Sequence, residues 1–395
     1  MRAQLAVFGA AFGTTLLVTP VVRRLALRIG AVVRPDDRRV HEVPTATLGG
    51  FAMLIGFLVA LAVAWRLDFF TPVFDSTTEP LGVVLAALVI FSVGLFDDFR
   101  EMSAPAKTAG MVLAGTILSV SGVTILFFRI PFWDLVVLSA DLSAVLTVAW
   151  VVGMANAVNL IDGLDGLAAG IVAIAAGSFF LYGERLSDAG VLDNPDIGSL
   201  LALIVLGMAL GFLPHNFNPA KIFMGDSGAL LLGLLMAAST VSVGGSTSQP
   251  FSGQVYFFFA PLFIPLFILG VPILDTLFAI VRRARGRSGL ATADKDHLHH
   301  RLMRLGHGQR RSVVFLWLWT AVLSGLVLYP AYTGRGDAVV PLAVAALGFG
   351  LYVFFHPGIR RSNGANGTAT AAPEPTGVAS NGDTATESVQ AEHRT

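Results

Sequence analysis

The 395-residue chain is 54% hydrophobic and only 13% charged, with a mean hydropathy of +0.73, whereas a soluble domain carries about a quarter charged residues. Its 26 lysines and arginines balance 26 aspartates and glutamates, so no global basic character points to nucleic acid. The absence of cysteine excludes disulfides, thiolate chemistry and cysteine-type zinc or iron–sulfur sites.

Apolar runs long enough to cross a bilayer recur at about eleven places, near 3–22, 48–66, 80–96, 106–127, 142–158, 164–182, 198–214, 227–244, 256–281, 313–330 and 338–355. They predict an all-α polytopic integral membrane protein. The first run is followed, not preceded, by Arg23, Arg24 and Arg28, so it reads as a first span rather than a cleavable signal peptide. All of the 26 basic residues except Arg2, Arg66, Arg129, Arg185 and Arg335 fall on the odd-to-even connections and the C-terminal tail. That asymmetry predicts an outside N-terminus, a cytoplasmic C-terminus, and a site at the cytoplasmic face. Residues 1–358 are expected to form the transmembrane domain. Residues 359–395, rich in Ser, Thr, Gly, Ala and Pro, are expected to be a disordered cytoplasmic tail.

The first cytoplasmic connection contains RPDDRRVHEVPTATLGG (34–50). Arg23, Arg24 and Arg28 fit simple positive-inside anchoring, while Arg39 and His41, before a Pro turn and Gly49-Gly50, fit contact with an anion. After the third run, GLFDDFREMSAPAKTAG (94–110) sets Asp97 and Asp98 at a helix end, with Lys107 opening the next run. Adjacent carboxylates can share a divalent cation, and a lysine beside them can neutralise a phosphate. The bland alternative is a solvated turn in which the acids pair with Arg100.

Residues 156–166 read NAVNLIDGLDG and lie between two long apolar runs. Carboxylates at the end of membrane helices are costly to desolvate and mark function, unless they only cap the next helix. Asn156, Asn159, Asp162 and Asp165 recur every three residues, which puts Asn156 and Asp165 half a turn out of phase on a regular helix. All four therefore cannot converge from one regular helix: either it ends near Gly163, which is expected, or only Asn159 with Asp162 or Asp165 reaches a ligand.

Farther on, HNFNPAKIFMGDSGAL (215–230) marks a loop with Pro219 and Gly225, and opens a helix at Asp226-Ser227-Gly228. A helix N-terminus favours anions, and the loop adds His215, Asn216, Asn218 and Lys221. Phe223 could stack on a planar base or face lipid. Asp275 lies inside a span with Arg282 and Arg283 two turns on, which reads as structural. The last large loop holds ADKDHLHHRLMRLGHGQRR (293–311). Hard-metal phosphate sites prefer oxygen ligands, so His297, His299 and His300 fit hydrogen bonding to sugar or phosphate better than a zinc site.

Carboxylates for a hard cation, basic groups for phosphates and no activated Ser or Cys nucleophile fit phosphoryl transfer. A multi-span body implies a lipid substrate. Taken in order, RRVHEVPTATLGG, FDD followed by Lys107, NAVNLIDGLDGLAAG, NPAKIFMGDSG and DHLHHRL resemble the polyprenyl-phosphate N-acetylhexosamine-1-phosphate transferases. The resemblance spans about residues 34–311. HLHHR and the span count resemble the branch that moves N-acetylglucosamine 1-phosphate from UDP-GlcNAc to undecaprenyl or decaprenyl phosphate. The phospho-N-acetylmuramoyl-pentapeptide transferases are the sister branch. The usual Pro-Arg-x-Gly-Gly appears here as Ala46-Thr47-Leu48-Gly49-Gly50, and Arg39 stands where a Lys is common.

The resemblance implies Mg²⁺, with Mn²⁺ able to substitute, held by Asp226 and Asn159. It implies that Asp97 acts on the lipid phosphate with Asp98 beside it, that Asp162 and Asp165 shape the nucleotide site, and that Asn156 binds substrate. Phe223 would stack on uracil, Lys107 would contact a phosphate, and Arg39, His41 and the loop His297, His299, His300, Arg301 would hold substrate. The implied setting is the bacterial inner membrane, with UDP-GlcNAc and a polyprenyl phosphate as partners, no nucleic acid, and room for a homodimer. The product would initiate arabinogalactan, teichoic acid or lipopolysaccharide synthesis. Alternatives are a pentapeptide-type or other UDP-HexNAc donor, and, from another class, a sugar-phosphate transporter, which would carry its carboxylates deep in the spans.

Overall fold

The computed structural model describes residues 1–33, 44–75, 77–129, 135–245 and 308–334. The described chain is mostly helical: α1 (Arg2–Ile29), α2 (Gly49–Trp65), α3 (Thr71–Asp75), α4 (Glu79–Phe99), α5 (Ala104–Val120), α6 (Ala140–Ile161), α7 (Leu167–Asp188), α8 (Ile197–Asn216), α9 (Gly225–Gly245) and α10 (Gln309–Thr333). Seven of these helices are long and apolar enough to cross a membrane. An eighth is gained if α2 and its continuation, bent by 91°, count as one broken span. The helix α5, with 17 residues, is short of the ~20 that a straight crossing needs. The chain is therefore a multi-pass membrane protein. The predicted runs near 256–281 and 338–355, Asp275 and the tail from 359 lie outside the described residues.

Two differences from the predicted pattern are local. The run near 106–127 stops being helical at Val120, where Gly122 takes φ 106°. Residues Phe127–Arg129 (β1) then pair antiparallel with Leu135–Val137 (β2). A continuous apolar run does not by itself distinguish helix from strand. A second, shorter ladder of two residue pairs, Val32–Val33 with Thr45–Ala46, joins the residues that flank the first basic connection.

The helix α9 is the centre of the fold. Every residue from 227 to 241 is buried, as expected of a helix that is apolar all round. It packs against α4, α6, α8 and α2. Glycines set how close these helices come, as small residues do in membrane interfaces. A Cβ on Gly94 of α4 would lie 2.5–2.7 Å from backbone atoms of Ser227 and Asp226, and one on Gly233 would lie 2.6 Å from Ala155 Cα. Outside this core, α1 packs on α2 and α8, α7 on α8 and α10, and α5 between α4 and α6.

Candidate active site

The helix α6 ends at Ile161 with Asp162 as its C-cap, close to the Gly163 boundary expected from sequence. Gly166, at φ 77°, then turns the chain into α7. Although the helix ends as expected, the four polar residues still separate. The Asn156 amide donates to Val152 O (2.8 Å) and Met111 Sδ (3.2 Å), one turn below the site. The nearly buried Asp165 accepts from Asn218 Nδ2 (2.8 Å) and the Ala220 N–H (3.0 Å), clamping the loop before α9.

That loop is pinned from several sides. Asn216, only 1% exposed, accepts from the Gly166 N–H (3.0 Å) and donates to Ile222 O (3.0 Å), tying the Asp162–Asp165 turn to the segment that leads to Asp226. Asn218 also bonds Gln309 (2.7 Å) and accepts from Arg310 Nε (3.1 Å). On the other flank, the Gly49 and Gly50 N–H groups donate to Phe223 O (2.9 Å) and Met224 O (2.8 Å), while the Phe223 N–H donates to Ala46 O (2.9 Å). Leu48 adopts φ 81° to aim those glycine amides, a left-handed conformation that costs a residue with a Cβ roughly 1–2 kcal/mol. Phe223 is half-buried, whereas Lys221 is exposed. His215 Nε2 lies 3.0 Å from Leu16 O.

The anion that the first turn of α9 favours comes from within the chain. Asp98 accepts from the N–H groups of Asp226 (2.8 Å) and Ser227 (3.2 Å) and from the Ser227 hydroxyl (2.6 Å). The anion on this helix N-terminus is the protein's own carboxylate. Gly225, at φ 71°, leaves room for it: a Cβ there would lie 2.6 Å from both Asp98 oxygens. Sequence reasoning did not single out Ser227, Asn216 or Gly94 for these roles.

The adjacent acid does something different. Asp97 accepts from the Met102 N–H (2.6 Å) on Oδ1 and from Lys107 Nζ (2.8 Å) on Oδ2. Lys107 Nζ also donates to Asp226 Oδ2. Asn159, with its amide in the orientation that satisfies both neighbours, donates to Asp226 Oδ1 (3.0 Å) and accepts from Lys107 Nζ (2.9 Å). Asp97, Lys107, Asn159 and Asp226 thus converge from four helices. Both ion pairs among the described residues are made by Lys107, and Arg100 is exposed, so the solvated acid–arginine turn is not what forms. The oxygens of Asp226, Asn159 and Asp97 are hard donors suited to Mg²⁺. No group of three His, Cys, Asp or Glu side chains able to hold a metal exists among the described residues. Arg39, His41, His297, His299, His300 and Arg301 lie outside the described residues.

Asp162 borders this cluster. Burial, then the carboxylates of Asp226, Asp98 and Asp165, push it from 3.8 up to about 8. A carboxyl that keeps its proton only when folded stabilises most below its unfolded pKa and loses that contribution as pH rises toward the folded value. The melting temperature of metal-free protein is therefore expected to fall between about pH 5 and about pH 8. Asp162→Asn should flatten that slope, and an unchanged slope would mean that Asp162 is already ionised there.

The family model described as Glycosyl transferase family 4 matches residues 80–244, the stretch from α4 to α9 that supplies every member of this cluster. The decaprenyl-phosphate N-acetylglucosaminephosphotransferase of Mycobacterium tuberculosis is 40% identical over 317 residues, covering 78% of each chain. The chain belongs to glycosyl transferase family 4. The protein of the same name from Mycolicibacterium smegmatis is 40% identical over 339 residues, covering 84% of this chain and 83% of the relative. A phospho-N-acetylmuramoyl-pentapeptide-transferase of Desulforudis audaxviator is 35% identical over 344 residues, covering 81% of this chain and 96% of its own length. The transferase-family match thus takes in Asp97, Asp98, Lys107, Asn159, Asp162, Asp165 and Asp226, while α10 and the first basic loop lie beyond it.

Proposed function

We propose that this family member transfers N-acetylglucosamine 1-phosphate from UDP-GlcNAc to a decaprenyl or undecaprenyl phosphate. The products are UMP and a polyprenyl-diphosphate-GlcNAc that initiates a cell-envelope glycan. The observation that carries the reading is the convergence of Asp97, Lys107, Asn159 and Asp226 where the ends of four helices meet. The names and 40% identity of the mycobacterial relatives support the sugar and the lipid. Positive-inside asymmetry supports a cytoplasmic site in the bacterial inner membrane.

In the reaction, an oxygen of the lipid phosphate attacks the sugar-linked phosphorus. One P–O bond forms, the bond to the UMP oxygen breaks, and UMP leaves with that electron pair. A phosphate monoester has its second pKa near ~6, so the acceptor is largely dianionic at neutral pH and needs little base catalysis. Both oxygens of Asp97 are already engaged, by Met102 N–H and Lys107, which suits a carboxylate that positions Lys107 and the acceptor rather than one that forms a covalent adduct. Mg²⁺ held by Asp226 and Asn159 would offset the charge of the diphosphate. Asp98 fixes the backbone that carries Asp226, and Asp165 and Asn216 fix the loop beside it. Phe223 would stack on uracil.

Purified protein with Mg²⁺ and polyprenyl phosphate, offered UDP-GlcNAc beside UDP-MurNAc-pentapeptide, tests the donor. UMP release with UDP-GlcNAc alone, abolished by EDTA, is expected. Release only with the pentapeptide donor would move the protein to the other branch.

A further inference from the structure

Lys107 occupies an unusual place for a residue expected to touch substrate. Its ammonium is bound to Asp97 Oδ2 at 2.8 Å, to Asp226 Oδ2 and to Asn159 Oδ1 at 2.9 Å. Two of these three residues are the proposed metal ligands, and the third neighbours them. We propose that the Lys107 ammonium is the resident counter-cation of the metal-free site, and that it and a divalent cation exchange places on the same oxygens. This rests on the reading that Asp226 and Asn159 hold Mg²⁺.

The ammonium and a divalent cation would compete for the same oxygens. Mg²⁺ binds oxygen at about 2.0–2.1 Å, and Asp226 Oδ2 and Asn159 Oδ1, which it would take, are the atoms that now accept from Lys107 Nζ. The charge balance explains why a cation is needed there. Asp97 and Asp226 face each other across Lys107, with Asp98 and Asp162 close behind, and Lys107 makes both ion pairs found among the described residues. Removal of the ammonium without replacement leaves these carboxylates repelling one another. Lys107 is also able to leave. It projects from the first turn of α5 on a flexible four-carbon stem, and its neighbours Ala104, Pro105, Ala106 and Thr108 are exposed. With a divalent cation on these oxygens, the Lys107 ammonium would be free to swing toward the exposed first turn of α5.

The exchange makes an unusual prediction: deletion of a positive charge should tighten metal binding. Mn²⁺ binding to detergent-purified protein, read from the free-ion signal in electron paramagnetic resonance, tests it without any turnover. Wild type is expected to bind one Mn²⁺ weakly and Asp226→Asn to lose it. Lys107→Met should bind on the order of tenfold more tightly, within the range by which groups around a metal site change its affinity, while Lys107→Arg, which keeps the charge, should not. The metal-free Lys107→Met protein should also melt lower than wild type and recover more on adding Mn²⁺. Unchanged or weaker Mn²⁺ binding by folded Lys107→Met would overturn the exchange while leaving the metal site standing. No Mn²⁺ binding by wild type would overturn both.

Discussion

Asp226→Asn is expected to lower kcat/KM for UMP release by about 10³-fold, on the order of 4 kcal/mol of transition-state stabilisation, with little change in melting temperature. The two halves of that expectation come from different atoms of one residue. The Asp226 backbone N–H is held by Asp98 at 2.8 Å, and an asparagine keeps that bond and the start of α9 intact. The side chain is bound by Lys107 and Asn159, and asparagine removes the charge that a hard cation and a nearby ammonium both need. A variant that lost activity only in proportion to lost folded protein would contradict a chemical role for the carboxylate. Circular dichroism melts run beside the kinetics separate the cases.

Gly94→Ala should be nearly as damaging for a mechanical reason. Alanine is normally worth up to ~1 kcal/mol over glycine inside a helix. Here the new Cβ would lie 2.5–2.7 Å from Ser227 Cα, Ser227 N and Asp226 C. These are backbone atoms that cannot rotate aside, so overpacking of about 1–3 kcal/mol is expected to outweigh the propensity gain. The α4–α9 contact must open, carrying Asp97 and Asp98 away from Asp226. A displacement near 1 Å at a reacting centre can lower the rate about 10²-fold. Gly153→Ala on α6 is the control, because nothing lies within 4 Å of a Cβ there. It should leave activity unchanged and stability unchanged or slightly raised. Equal behaviour of the two variants would remove close α4–α9 packing from the account.

Much of this arrangement was legible in the chain because membrane helices announce themselves by length and apolar composition. The runs from 3–22 to 227–244 and that near 313–330 each fall on a described helix. The end of α6 followed from counting, since residues at three-residue spacing drift around a helix and Gly163 and Gly166 offer a stop. What escaped the sequence depends on pairing between distant segments. Asp97 and Asp98 look equivalent in FDD, yet one faces Lys107 and the other caps α9, because successive residues on a helix point about 100° apart. Asp165 reads like Asp162 but turns to Asn218 and the Ala220 amide, 53 and 55 residues away. Gly94 carries no signal at all until α9 is seen lying against it. The failure of the 106–127 run to stay helical past Val120 has the same origin: apolar composition fixes burial, not backbone geometry.

The sugar is expected to move together with its phosphate. UDP-GlcNAc labelled with ³²P in the phosphate next to the sugar, incubated with purified protein, Mg²⁺ and decaprenyl phosphate, tests it most directly. Label is expected in the organic-extractable lipid in step with UMP release, with none on protein quenched without acceptor. Label left in a released UDP would mean that only the sugar is transferred. Label fixed to the protein would mean a covalent intermediate. Either result would contradict the direct phosphoryl transfer argued from Asp97, Lys107, Asn159 and Asp226.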